Sequence, residues 1–243
     1  MSRAKRHYIP GHAWHLTHRC HKREFLFKFA KDRNRWMHWL YLAKKEYGLI
    51  IVDYIVTSNP IHLLVFDNAG RMVIPKSIQL LAGRVGREYN IRKKRSGAFW
   101  DDRYHATAIE PAEHLLRCIV YIDLNMVRTG TINHPLEWIW SGYNEIQAPR
   151  RKKKLISYNK LSELAGFDSY EKFQVAHRDW VKSSLSSELC RRDSMWAESI
   201  AIGTNEFVSK IYAESGPLAK GRKIMALWYF PWLDILLIIH VKL

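Results

Sequence analysis

Residues 49–66 hold two apolar runs, LIIVDYIVT and IHLLVF, separated only by Ser58, Asn59 and Pro60. Runs so rich in β-branched and aromatic residues favour strands, and a break this short makes them neighbours in a hairpin. An antiparallel sheet is therefore the centre of the fold. Within the second run His62 is the one polar side chain, and Pro60 stands two positions before it, on the same side of the strand.

The flanking patterns supply the rest of the sheet. Residues 13–20 alternate His15, Thr17 and Arg19 with Trp14, Leu16 and His18, which predicts a strand. Trp36, Leu40, Ala43 and Tyr47 recur at helical spacing over about 31–47, and Gly48 stands where a C-terminal cap belongs. A second helical pattern covers about 74–91, with Ile78, Leu81, Val85 and Tyr89 on one side. Residues 104–110 fit a fourth strand, and Pro111 and Glu113 suit the first turn of a helix that runs to about Arg128. The order β-α-β-β-α-β followed by a helix is that of an α+β, ferredoxin-like fold. It predicts a four-stranded antiparallel sheet with two helices on one face and the other face open to a ligand. Residues 1–149 form the main domain in this reading and 150–157 a basic linker. A helical extension then covers 158–215, with helices at about 158–185 and 195–213, and an apolar tail covers 216–243.

Charge narrows the partner. Lys and Arg number 39 against 23 Asp and Glu, a formal net charge of +16. Such an excess repels itself in a compact protein and suits a polyanion, with nucleic acid ahead of an acidic membrane surface. Basic runs stand at Ser2–His7, at Arg92, Lys93, Lys94 and Arg95, and at Arg150–Lys154. Each alone reads as a solvated loop. The run at 92–95 should add salt-dependent, sequence-indifferent affinity. Three dispersed cysteines suit a reducing cytoplasm. Residues 224–241 approach the length of a membrane span, but Pro231 and Asp234 sit near their middle, so a membrane anchor is the minor reading.

The helix HLLRCIVYIDLNMVR at 114–128 carries two stripes. Leu115, Ile119, Ile122 and Met126 make a buried one. His114, Arg117, Tyr121, Asn125 and Arg128 make a polar one, with Tyr121 and Asn125 one turn apart. An ordinary amphipathic helix with a half-buried tyrosine explains this too. A tyrosine hydroxyl can also attack a phosphodiester if cations neutralise the phosphate.

WHLTHR, SNPIHLLV, FWDDRYHA, YIDLNMVRTG, WSGY and WAESIAIGTNEFV together resemble the single-tyrosine HUH transposases, in particular the REP-associated tyrosine transposase branch. The resemblance covers residues 8 to about 215. It implies the HUH endonuclease fold with an added catalytic helix, and cleavage of single-stranded DNA beside a hairpin through a 5′-phosphotyrosine. Tyr121 matches the nucleophile. His62 and Asn125 match ligands of Mg²⁺ or Mn²⁺, and Pro60 replaces the first histidine of the His-hydrophobic-His pair. His15, Arg19, Arg103, Tyr104 and His105 fall in stretches expected near the DNA, as do Arg117 and Arg128 beside Tyr121. The implied partner is single-stranded or hairpin DNA; a homodimer is possible, since members of the family work as monomers or as dimers and nothing in the sequence chooses between them. No small-molecule cofactor is implied, and the location is bacterial cytoplasm, associated with the nucleoid. Proline brings no donor atom, so the reading is a transposase-like protein with an impaired metal site. The alternative is a catalytically inactive hairpin-DNA-binding protein. The apolar tail departs from the family pattern and is read as an out-of-frame terminus.

Other chemistries fare worse. An RNA-binding ferredoxin-like module would need an RNP1-type string, and no strand carries one. A zinc site from His12, His15, His18, Cys20 and His21 would split its ligands between two strand faces. Cys118 falls where a small core residue belongs.

Overall fold

The computed structural model describes residues 9–68, 72–185, 195–216 and 223–226. The first strand, β1, spans Ala13–His18 and leads through a loop into helix α1, Ala30–Tyr47. Gly48 ends α1 in the left-handed conformation at φ 71°, and its N–H donates to the Lys44 carbonyl. Then follow β2 (Ile50–Val56), β3 (Ile61–Phe66), α2 (Val73–Arg92) and β4 (His105–Ile109). Helix α3 covers Glu113–Asp123, and after a break at Leu124 a last turn, α4, covers Asn125–Arg128. Pro111 lies just before α3 rather than in its first turn.

β1 to β4 form the expected antiparallel arrangement, in the order β2-β3-β1-β4. In that register Thr17 stands opposite both His62 and His105, and His15 opposite Leu64 and Thr107. One sheet face therefore gathers His15, Thr17, His62, His105 and Thr107.

Two expectations need correction. The sheet has six strands, because part of the stretch expected to be helical at 195–213 is extended. After the turn α8 (Met195–Glu198), residues Ser199–Gly203 form β5, which pairs parallel with β4. The run SIAIG is short and apolar, so it resembles a helix segment until a neighbouring strand edge accepts it. Helix α9 (Asn205–Ser215) follows, and β6 (Lys223–Ala226) adds to β5, again parallel. The remainder of the apolar tail, the basic run at 2–7 and Cys190 lie outside the described residues.

The second correction concerns the open sheet face. His15, Thr17, His62 and Thr107 are all buried, and so are Trp14 and Leu16 on the reverse of β1. Both faces are covered, one of them by α3 and α8. The remaining helices, α5 (Gly142–Gln147), α6 (Tyr158–Leu164) and α7 (Tyr170–Leu185), come from the C-terminal half. Their Ile146, Leu161, Phe173 and Trp180 share one hydrophobic cluster with Ile51, Ile119 and Leu155. The basic loop at 150–154 thus crosses the surface of a continuous core. Lys44 Nζ holds it by donating to the Lys154 and Leu155 carbonyls. Among the described residues no helix is long and apolar enough to cross a membrane.

Candidate active site

The stripe Leu115, Ile119, Ile122 and Met126 is buried as its spacing predicts. Burying it fixes the rotation of α3 and turns Tyr121 toward the polar sheet face. Its ring meets His62 edge-on at 5.9 Å between centroids and His15 at 6.2 Å. Trp196 of α8 stacks on the same ring at 5.5 Å, and the Arg128 guanidinium sits 4.1 Å from its centroid. Arg128 also donates to the Tyr121 carbonyl. Tyr121, His62, Asn125, Arg128 and His15 therefore come together although they span more than a hundred positions of sequence.

A chain of hydrogen bonds runs through the cluster. His15 Nδ1 lies 2.8 Å from the Trp196 carbonyl, to which it can only donate. His15 is fully buried, and burial pushes its pKa down to about 3, so the ring is neutral and its Nε2 carries a lone pair. That lone pair faces His62 Nδ1 at 3.0 Å and accepts its proton. His62 Nε2 is left as an acceptor, and the Asn125 Nδ2 amide lies 3.2 Å from it. One backbone carbonyl thus sets the tautomer of two histidines in series.

This corrects the place expected for His15. It is not a DNA-facing side chain but an interior one that orients His62. The sequence could not reveal the link, because its partner carbonyl belongs to residue 196.

His62 Nε2 and the Asn125 amide, the two groups that the resemblance implies as metal ligands, lie 3.2 Å apart. They do not form a cation cage as arranged. His62 uses both ring nitrogens within the hydrogen-bonded chain, and position 60 adds no donor. Among the described residues no group of three or more His, Cys, Asp or Glu side chains could hold a metal ion. In this arrangement the side chains around Tyr121 do not fit a bound divalent cation.

The other candidates are dispersed. Arg103 is exposed, and Arg19, Tyr104 and His105 are half-buried. His105 Nε2 donates to the Ser199 carbonyl at 2.9 Å, which ties β4 to the start of β5. Near Tyr104, His18 stacks on Trp100 at 3.8 Å. Arg117 pairs with Glu113 one turn before Tyr121. In the basic run, Arg92 pairs with the buried Asp32, and Arg95 lies 3.8 Å from Glu24. Lys93 and Lys94 are exposed.

Sequence reasoning missed Trp196 as a site residue. Its segment stood out only by resemblance, and nothing local says that its indole covers Tyr121. Cys118 is fully buried among core residues, where desolvation pushes its thiol pKa well up.

No protein-family model matches the chain, and no curated protein matches it. Among solved structures it is similar to a REP-associated tyrosine transposase bound to a REP hairpin. That likeness has 19% identity and a TM-score of 0.48, and it covers 61% of this chain and 87% of the other. It is also similar to a Deinococcus radiodurans R1 protein described as a transposase candidate, at 20% identity and a TM-score of 0.35. The latter covers 47% of this chain and 89% of that one.

Proposed function

We propose that this protein binds single-stranded or hairpin DNA and that Tyr121 attacks a phosphodiester of it, in the manner of a tyrosine transposase. The observation that carries the reading is the convergence of Tyr121, Arg128, His62 and Asn125 in one side-chain cluster. In the reaction the Tyr121 Oη–phosphorus bond forms and the bond from phosphorus to the 3′ oxygen breaks. The hydroxyl proton leaves the tyrosine, and the 3′ oxygen departs as a hydroxyl. The DNA stays joined through a 5′-phosphotyrosine. Arg128, held beside the tyrosine ring, supplies the positive charge that the phosphate requires. Asn125 and the His15–His62 chain hold the floor of the site in one arrangement.

A second reading, binding without cleavage, is favoured by one specific feature. Both nitrogens of His62 are engaged and Pro60 brings no ligand, so the group expected to activate the phosphate has a poor seat. One experiment separates the two. The protein, Tyr121→Phe and Pro60→His are incubated with hairpin oligonucleotides from repeats flanking the gene, with Mn²⁺ or EDTA, and run on a denaturing gel. A covalent adduct from the unaltered protein, absent with Tyr121→Phe, supports cleavage. An adduct only after Pro60→His, together with Mn²⁺ affinity gained by that variant in spin-resonance titration, supports binding alone. DNA that binds but gives no adduct with any variant removes Tyr121 from the role of nucleophile.

A further inference from the structure

Away from Tyr121, the loop between β1 and α1 reads FLFKF at 25–29 and divides its apolar residues unusually. Leu26 and Phe27 enter the core, with Phe27 edge-on to Phe99 at 5.4 Å. Phe25 and Phe29 stay outside, 68% and 54% exposed. The loop is firmly held. Cys20 N–H donates to Asn59 Oδ1 at 3.1 Å, and Asn59 Nδ2 donates to the Glu24 carbonyl at 3.2 Å. Lys22 and Arg23 both hold left-handed backbone, at φ 51° and 59°, a conformation that side-chain-bearing residues adopt only when their surroundings impose it. Two lysines flank the Phe29 ring. Lys93 Nζ lies 5.0 Å from the Phe29 centroid and Lys28 Nζ 6.0 Å from it, while Lys22, Arg23 and Lys28 are exposed.

We propose that Phe25 and Phe29, with Lys28 and Lys93 beside Phe29 and the exposed Lys22 and Arg23 just before Phe25 in the same loop, form a stacking platform for the unpaired bases of a single-stranded nucleic acid. Flat rings accept any base, and the surrounding cations track the phosphates between bases. Three observations favour this occupant over a protein or a lipid surface. The whole chain carries +16. Lys28 and Lys93 stand beside the Phe29 ring, and Lys22 and Arg23 are exposed in the same loop. The loop is bonded to Asn59, three residues before His62, so a strand resting on it approaches the start of β3. The platform rests on DNA as the partner but not on the chemistry of Tyr121.

The test uses oligo(dT) carrying one 2-aminopurine, with the full chain and its Phe25→Ala, Phe29→Ala and double variants. Both side chains are exposed, and matching thermal melts check that folding is retained. Each substitution should weaken binding roughly tenfold and reduce the fluorescence change of the 2-aminopurine, leaving the salt dependence unchanged. Full affinity in the double variant overturns the proposal. So does a loss confined to phosphatidylglycerol vesicles, which would assign the rings to a membrane. In the unaltered protein, a failed adduct assay with an intact 2-aminopurine fluorescence change removes the nucleophile and leaves the platform. Conversely, the double variant should still form the adduct at saturating DNA if Tyr121 is the nucleophile.

Discussion

At the scale of single residues, His15 and Pro60 decide what the site can do. Pro60 is legible in the sequence as a lost donor. His15 is legible only as a strand histidine, and burial converts it into the group that orders His62. Its titration gives a prediction with a definite sign. In the folded chain burial holds the His15 pKa near 3, while in the unfolded chain it returns to 6.5. Between those values the unfolded state binds the extra proton, so stability rises with pH through this window and is lost as pH falls. Relative to His15→Gln, the unaltered protein should lose up to about 1.4 kcal/mol of unfolding free energy per pH unit from 6.5 down to 3. Above pH 7 the difference should be constant. Urea titrations of both proteins across pH check this, and parallel pH profiles would contradict the assignment of a neutral, buried imidazole.

Among the elements, helix α3 was the most readable, because its apolar stripe and its polar stripe both follow from one period. Its rotation was therefore determined before any contact was known. β5 was not readable, since SIAIG becomes a strand only by pairing with β4. Two glycines at element ends show how local and tertiary constraints differ. Gly48 caps α1 at φ 71° with nothing within 4 Å of an added Cβ, so Gly48→Ala should cost only backbone strain, about 1 kcal/mol. Gly142 opens α5 against Asp53. An added Cβ there would collide with the Asp53 carboxylate and approach the Tyr54 backbone nitrogen at 3.1 Å. Asp53 is fully buried, and desolvation together with Asp123 pushes its pKa well up, so it has nowhere favourable to move. Gly142→Ala should therefore cost about 1–3 kcal/mol, the larger effect of the two, as read from urea midpoints. Equal shifts in the two variants would argue against the close packing of α5 on β2.

For the molecule as a whole, excess positive charge suits a polyanionic partner, but tertiary structure sorts the cations. In the run RKKR at 92–95, Lys93 and Lys94 are exposed, whereas Arg92 is spent on Asp32. Replacing Lys93 and Lys94 together by Gln should flatten the salt dependence of single-strand binding by about 0.7 in log–log slope per lysine that meets a phosphate. Arg92→Gln should instead lower stability, because it leaves the Asp32 carboxyl buried without its cation. Binding isotherms at several salt concentrations, paired with urea melts, distinguish the two outcomes. By itself the sequence determined the four-stranded antiparallel centre, the helices around it, the buried stripe of α3 and the basic character, since each depends on short-range periodicity or on composition. Only the tertiary structure decided that β5 and β6 extend the sheet, that α3 and α8 close its polar face, and that Trp196 and His15 complete the surroundings of Tyr121. Those contacts join segments far apart in the chain, and no local pattern records which distant carbonyl a buried imidazole will find.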